Sequence, residues 1–110
     1  MEKLTQLFKS LSDETRLRIL MMLSERAHCV CELTEILEES QPKISKHLAI
    51  LKALGIVETK RQSQFIYYFL TSDRFVEDVL AILRHQMSDY PILLKDQERV
   101  SLCLRKADNL

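Results

Sequence analysis

An amphipathic segment in the middle of the chain constrains the fold more than any other feature. Ser40 is a residue type that caps helices, and Pro42 falls in the first turn, where its missing N–H costs no hydrogen bond. Ile44, Leu48 and Leu51 recur at helical spacing, so one face of this helix is expected to pack on the domain. The other faces carry polar side chains in the first turns, namely Gln41, Lys43, Ser45 and Lys46.

These polar side chains are of the types that read nucleic acids. Gln pairs with adenine, Ser bonds to either base type, and Lys reaches guanine or the phosphate backbone. His47 lies in the same segment and is expected to support groove contact or packing rather than to bind a metal ion. The segment therefore predicts a helix that enters a DNA groove.

The residues after this helix predict a β-hairpin. Gly55, the only glycine in the chain, stands where a residue of left-handed conformation would end the helix. Residues 56–59 and 65–70 are rich in β-branched and aromatic side chains, and the polar residues 60–64 connect them. We expect a two-stranded wing beside the helix.

The spacing of apolar residues places the remaining helices. The first begins near the N-terminus, the second follows Ser12, the third covers about residues 30–38 and the fifth follows Ser72. Residues 89–91 are expected to break or kink the fifth helix, and Val100, Cys103 and Leu104 share one side of a final helix. The third and fourth helices are joined by a short turn, which is typical of a helix-turn-helix. The predicted fold is a single, mostly α domain over residues 1–110, a winged helix-turn-helix with five to six helices. Apolar residues on two faces of the fifth helix predict contact with a second subunit.

Charge and hydropathy limit the classes of partner that the chain can be expected to bind. The 16 Lys and Arg residues balance 16 Asp and Glu residues, but basic residues gather in and after the fourth helix. Phosphate contact requires such a basic face, although a charge run of this size is more often a solvated helix face. No apolar run reaches the roughly 20 residues that cross a bilayer, and no signal peptide is evident, so we expect a cytoplasmic protein without a membrane partner.

The three cysteines are candidates for ion binding, for thiol sensing or for packing, because structural disulfides are rare in a reducing compartment. On a continuous helix Cys29 and Cys31 would lie about 200° apart and could not grip one ion. Either Cys29 lies ahead of the helix, or binding unwinds the first turn of the helix. A position near a helix N-terminus is also expected to lower the pKa of these thiols.

Three segments resemble the ArsR/SmtB family of winged-helix, metal-responsive repressors: residues 11–20, residues 29–33 and residues 40–68. The resemblance implies a homodimer built on N- and C-terminal dimerisation helices, which binds double-stranded operator DNA and leaves it when a metal ion binds. By position, Gln41, Ser45 and Lys46 match the groove-contacting places of the family, and Lys43 is a further candidate. The wing residues that the resemblance assigns to DNA are Lys60, Arg61 and Gln64. Where the family usually has glycine at the wing tip, this chain has Gln62-Ser63.

The cysteine pair resembles the soft-metal site of the arsenic, antimony, cadmium and lead sensors of this family. Thiolates suit such ions because both are soft, and trivalent arsenic takes three sulfurs. Cys29 and Cys31 would supply two sulfurs, but Thr34 stands where the arsenic-type motif has its third cysteine. The candidates for the third ligand are therefore Cys103, His28 and a non-protein thiol.

The resulting hypothesis is a repressor of a metal(loid) resistance operon that is released by arsenite or antimonite, As(III) or Sb(III). Cadmium, lead or zinc as the effector, and thiol oxidation or persulfidation as the signal, remain as alternatives. A metal-buffering protein without DNA contact is a further one. An enzyme is not expected, because the sequence has no orienting carboxylate at a telling position, no glycine-rich pocket and no organic cofactor motif.

Overall fold

The computed structural model describes the backbone of residues 1–108 and the side chains through Cys103, so the last two residues of the predicted domain lie outside the described part. Its elements in chain order are α1 Glu2–Leu11, α2 Glu14–Leu23, β1 His28–Cys29, α3 Val30–Leu37, α4 Gln41–Ala53, β2 Val57–Gln62, β3 Phe65–Leu70, α5 Arg74–His85, a 3-10 turn Met87–Asp89 and α6 Pro91–Asp108. The described residues thus form a mostly α winged helix-turn-helix, as predicted.

Helix α2 occupies the centre of the core. Its residues Ile19 and Leu20 are completely buried, and the inner faces of α3 and α4 pack around it. Full burial of each such side chain contributes about 1.5–3 kcal/mol. The predicted inner face of α4 is confirmed, because Ile44, Leu48 and Leu51 have no exposed surface.

Residues at the helix ends determine where α3 stops and where α4 begins and stops. The Ser40 hydroxyl accepts a hydrogen bond from the Lys43 N–H at 3.3 Å, as an N-cap does. Glu38 caps the C-terminus of α3 with a left-handed φ of 53°, and Gly55 follows α4 with a φ of 76°. A side chain at Gly55 would meet no atom within 4 Å, so conformation rather than space selects glycine.

The wing is longer than the sequence pattern predicted. Strands β2 and β3 pair antiparallel from Val57 opposite Leu70 to Gln62 opposite Phe65, which leaves only Ser63 and Gln64 in the turn. Ser63 adopts a φ of 61°, the conformation that the family's glycine would supply.

The predicted polar connection is therefore mostly strand, and Lys60 and Arg61 lie in β2. A third strand, β1, also joins the sheet on the far side of β3, with His28 opposite Tyr68 and Cys29 opposite Tyr67. Two residues are too few to show the alternation that reveals a strand, so the sequence pattern did not predict β1.

Helices α1 and α5 leave large apolar side chains uncovered. Val76 and Leu80 of α5 are buried, whereas Phe75 is 46% and Ile82 is 63% exposed, and Phe8 of α1 is 54% exposed. This distribution agrees with the two apolar faces read from the sequence. None of the helices in the described part of the chain has the length and hydropathy that crossing a bilayer requires.

Candidate nucleic-acid interface and thiol site

The first turns of α4 present polar side chains to solvent. Gln41, Lys43 and Lys46 are exposed, and Ser45 is half-buried. The Gln41 amide donates to the Ser45 hydroxyl at 2.8 Å, which orients both groups on one face of the helix. Lys43 also pairs with Glu39 at 3.1 Å. The helix therefore offers amide, hydroxyl and ammonium groups together, the set that base edges and phosphates accept.

His47 has a different position from the other candidates on α4. Its side chain is buried against α2, with Nδ1 3.5 Å from Arg16 Nη1 and Nε2 4.0 Å from Asp13 Oδ1. Burial lowers the pKa of His47, although the nearby Asp13 carboxylate opposes this shift. Of the two roles expected from the sequence, packing that orients α4 fits this position better than direct contact with DNA.

The candidate wing residues lie at the solvent end of the hairpin. Lys60, Arg61 and Gln64 are all exposed. Lys60 and Arg61 are consecutive in β2 and therefore point to opposite faces of the sheet. Lys60 is opposite Tyr67, which is in turn opposite Cys29, so one row across the sheet joins the wing to the cysteine pair.

The two cysteine side chains of the pair are adjacent. Cys29 is the N-cap of α3 with extended backbone, φ −87° and ψ 166°, and its Sγ lies 2.7 Å from that of Cys31. Of the two arrangements considered from the sequence, Cys29 ahead of the helix is thus the one observed. Cys29 is buried and Cys31 is exposed, so an ion can reach the pair from the Cys31 side.

Glu32 organises the surroundings of the pair. Its Oε1 accepts from the Cys29 N–H at 3.2 Å and from the Cys29 thiol at 3.3 Å, while Oε2 lies 3.4 Å from His28 Nδ1. The His28 contact is the main reason that the pKa of Glu32 falls to about 2. His28 is itself buried, and its Nε2 has no partner among the described residues.

The expected lowering of the thiol pKa is wrong for Cys29. Burial, and next the hydrogen bond with Cys31, raise the pKa of Cys29 to about 12. The helix N-terminus is a weaker influence than the loss of water around the sulfur. Cys29 is therefore protonated near neutral pH, and a metal ion must displace its proton in order to bind.

Cys103 lies on α6 beside the same helix as the pair. Its Sγ is 3.8 Å from Glu35 Oε2, and Glu35 follows Cys31 by one turn of α3 on the same face. The four-residue step from Cys31 to Glu35 corresponds to about 6 Å along the axis. Among the described residues no three His, Cys, Asp or Glu side chains converge in an arrangement that could hold a metal ion. The structure therefore preassembles two sulfurs and leaves the third ligand open.

A buried ionic network that the sequence reasoning missed joins α2 and α6 to the end of α3. The Arg18 guanidinium donates to both oxygens of Asp96 at 2.8 Å, and also to the Leu37 carbonyl at 2.9 Å. Arg99 donates to the Ile36 carbonyl at 3.1 Å. Asp96 has no exposed surface, which is rare for a carboxylate. In the sequence these groups look like ordinary surface charges, because 78 residues separate Arg18 from Asp96.

Comparison with known proteins agrees with this arrangement. Residues 13–59 match the family model described as the arsR family of bacterial regulatory proteins. The chain is 49% identical over 67 residues to the arsenical resistance operon repressor of Escherichia coli strain K12, which covers 60% of this chain and 57% of that protein. It is 38% identical over 82 residues to a cadmium resistance transcriptional regulatory protein, a CadC homolog of Staphylococcus aureus, with 74% and 68% covered.

A solved structure supports the same fold. HlyU from Vibrio cholerae N16961 superposes with a TM-score of 0.72 at 35% identity, covering 77% of this chain and 91% of that chain. The chain spans little more than half of the length of the E. coli arsenical repressor. Because the similar proteins are regulators of transcription and not enzymes, the expectation that this chain is not an enzyme is confirmed.

Proposed function

Since this chain belongs to the ArsR family of bacterial regulatory proteins, we propose that it is a DNA-binding repressor of a metal(loid) resistance operon, released when a thiophilic ion binds its cysteines. The observation that carries the proposal is the cysteine pair at the start of α3. Cys29 and Cys31 have adjacent sulfurs, and a short turn joins the end of α3 to α4. The ion site and the DNA-reading helix therefore belong to one helix-turn-helix.

The DNA contacts follow from exposure and chemistry. On α4, Gln41 and Ser45 are proposed to meet base edges, Lys46 to pair with a phosphate at the groove, and Lys43 to meet a base edge or a phosphate. On the wing, Lys60, Arg61 and Gln64 are proposed to contact the backbone or the minor groove. His47 is proposed to hold α4 against α2.

Arsenite or antimonite is the proposed effector because the pair supplies two soft ligands and the E. coli relative is an arsenical resistance repressor. Cys103 is the proposed third sulfur, since α6 brings it beside Glu35, one turn from Cys31. The cadmium resistance relative favours cadmium as the second candidate, with lead and zinc as related ions. The 2.7 Å separation of the two sulfurs also supports thiol oxidation or persulfidation as an alternative signal.

The proposed release follows from what Cys29 is attached to. Cys29 caps α3 and also pairs with Tyr67 in the sheet that forms the wing. A change in the position of its sulfur therefore acts on α3, which leads to α4, and on β3, which carries the wing. Binding of one ion would therefore displace both α4 and the wing. An ion that binds the displaced arrangement more tightly shifts the protein from the DNA-bound to the free state.

The proposed assembly is a homodimer formed through α1 and α5. The exposed apolar side chains of these helices, Phe8, Phe75 and Ile82, provide the contact surface. Two copies related by a two-fold axis would place two α4 helices against the half-sites of a palindrome.

Binding of a selected duplex tests the proposal. A DNA duplex is first recovered by in vitro selection with the metal-free, reduced protein, and its binding is then followed by anisotropy during titration with arsenite, antimonite, cadmium, lead and zinc. We expect arsenite or antimonite to release the wild-type protein and to leave Cys29→Ser and Cys31→Ser bound. Cys103→Ser is expected to need a higher arsenite concentration for release. Failure to recover any duplex, or release of both Cys29→Ser and Cys31→Ser at the arsenite concentration that releases the wild type, would overturn the proposal.

A further inference from the structure

The buried network of Arg18, Asp96 and Arg99 lies between the last helix and the turn ahead of α4. We infer that these three residues form a clamp through which α6 positions α4 for DNA binding. The inference rests on the proposed DNA-binding function and adds to it a role for α6.

The clamp holds the end of α3 by its backbone. The last carbonyls of a helix have no partners within the helix. Here Arg18 donates a hydrogen bond to the Leu37 carbonyl and Arg99 donates one to the Ile36 carbonyl. Arg99 also forms a salt bridge with Glu38 at 2.8 Å. Glu38 has the left-handed φ that turns the chain towards α4. The residues that set the direction of α4 are therefore fixed by side chains.

The clamp depends on α6 because its central carboxylate comes from that helix. Asp96 has no exposed surface and receives two hydrogen bonds from Arg18 in fork geometry. Arg18 is also buried, so without Asp96 its charge would lose its nearest carboxylate partner inside the domain. The orientation of Arg18 towards the Leu37 carbonyl is thus a consequence of where α6 lies.

The network continues onto α4 itself. Arg18 Nη1 lies 3.7 Å from Glu39 in the turn, and Glu39 pairs with Lys43 in the first turn of α4 at 3.1 Å. A chain of charges of alternating sign therefore runs from α6 to a proposed DNA contact. A shift of α6 changes the position of Arg18, and with it the geometry of the first turn of α4.

Helix α6 also touches α3 near the thiol pair. Arg99 donates to the Ile36 carbonyl and Cys103 lies beside Glu35, whereas Asp96 acts on the Leu37 carbonyl only through Arg18. The same helix thus carries both the clamp and the proposed third sulfur. Occupation of that sulfur would act on the clamp without passing through the first turn of α3.

A matched pair of variants on one face of α6 tests the inference. Arg99→Gln removes a clamp arginine that is only partly buried, and Lys95→Gln removes an exposed charge one turn earlier. We expect Arg99→Gln to weaken binding of the selected duplex by about tenfold, the scale of one lost charged hydrogen bond, and Lys95→Gln to leave it near the wild-type value. Asp96→Asn is expected to weaken it further.

The salt dependence separates positioning from direct contact. If Arg99 touched a phosphate, its loss would reduce the slope of log affinity against log salt concentration by about one. A positioning role predicts lower affinity at every salt concentration with the slope unchanged. Faster hydrogen exchange at the first amides of α4 is expected in Arg99→Gln, and arsenite binding, followed by thiolate absorbance, is expected to remain.

The outcomes distinguish the clamp from the proposed function. If Arg99→Gln binds the duplex as tightly as the wild type does, the clamp is overturned and the repressor proposal still stands. A reduced salt slope in Arg99→Gln would also overturn it, because Arg99 would then be a DNA contact. If Asp96→Asn fails to fold, Arg99→Gln and its control still decide. Wild-type protein that binds no selected duplex would instead refute the proposed function.

Discussion

At the scale of single residues, carboxylates that accept backbone hydrogen bonds determine much of the local chemistry. Asp13 accepts from the Arg16 N–H at 3.0 Å and starts α2, and Glu32 accepts from the Cys29 N–H at the start of α3. Both have lowered pKa values, so both are ionised near neutral pH. The same charge that caps a helix therefore also faces a histidine or a thiol.

The Asp13 cap is expected to contribute to stability in a pH-dependent way. The hydrogen bond from Arg16 lowers the pKa of Asp13 below its ordinary 3.8, so the contribution is complete above that pH and disappears as pH falls through the folded-state pKa. Asp13→Ala is expected to lower the free energy of unfolding at neutral pH by about 1 kcal/mol. Urea denaturation over a pH series measures both effects. Asp13→Asn is the control, since it keeps the cap and should show a weaker dependence on pH in this acidic range.

Gly55 offers a second test at this scale. Its φ of 76° disfavours any side chain, while the space around it is open. We expect Gly55→Ala to lower the free energy of unfolding by about 1–2 kcal/mol through backbone strain alone. Gly55→Asn is expected to cost less, because Asn adopts this conformation more readily. Equal stability of Gly55→Ala and wild type in urea denaturation would contradict this explanation.

At the scale of elements, helix ends, helix faces and the wing hairpin followed from local patterns, whereas the third strand of the sheet did not. Ser40, Pro42 and Gly55 marked α4 correctly, because caps and left-handed ends depend on neighbours in sequence. Strand β1 was missed, and with it the contact between Cys29 and the wing. Its two residues become a strand only because β3 supplies a partner edge.

The first two turns of α4 are expected to differ from its last turn in DNA binding. Lys46 is exposed next to Ser45, whereas Lys52 is exposed near the end of the same helix, about 9 Å farther along the axis. Lys46→Ala is expected to weaken binding of the selected duplex by about tenfold and to lower the salt slope by about one. Anisotropy titrations at several salt concentrations measure both quantities. The matched variant Lys52→Ala should lose less affinity, and a greater loss there would place the contact at the wrong end of the helix.

At the scale of the whole molecule, the exposed apolar surface of α1 and α5 is the one proposed for dimer formation. Ile82 is 63% exposed, more than is usual for isoleucine in a helix that also packs on a core. A second copy of the chain would cover it, and the DNA half-sites would then be read by two α4 helices in fixed relation.

Charge placed on this surface is expected to prevent dimer formation. Ile82→Glu should give a monomer in sedimentation velocity, because burying the carboxylate in an apolar contact is costly. The duplex affinity should fall with it, since one α4 would bind one half-site. Leu102→Glu is the control, as Leu102 is 55% exposed on α6 and outside the proposed contact. A dimeric Ile82→Glu would show that another surface is used.

By itself the sequence determined the helical framework: which segments are helical, which face of each is apolar, where α4 begins and ends, and which residue types are available for DNA and for soft ions. Each of these depends on propensities, caps and spacings within a few residues. The tertiary structure alone decided that Cys29 meets Cys31 ahead of the helix, that burial raises the pKa of Cys29, and that Asp96 reaches Arg18. These outcomes depend on chain segments that are distant in sequence, on the burial they create and on the registry of their packing, and no local pattern encodes them.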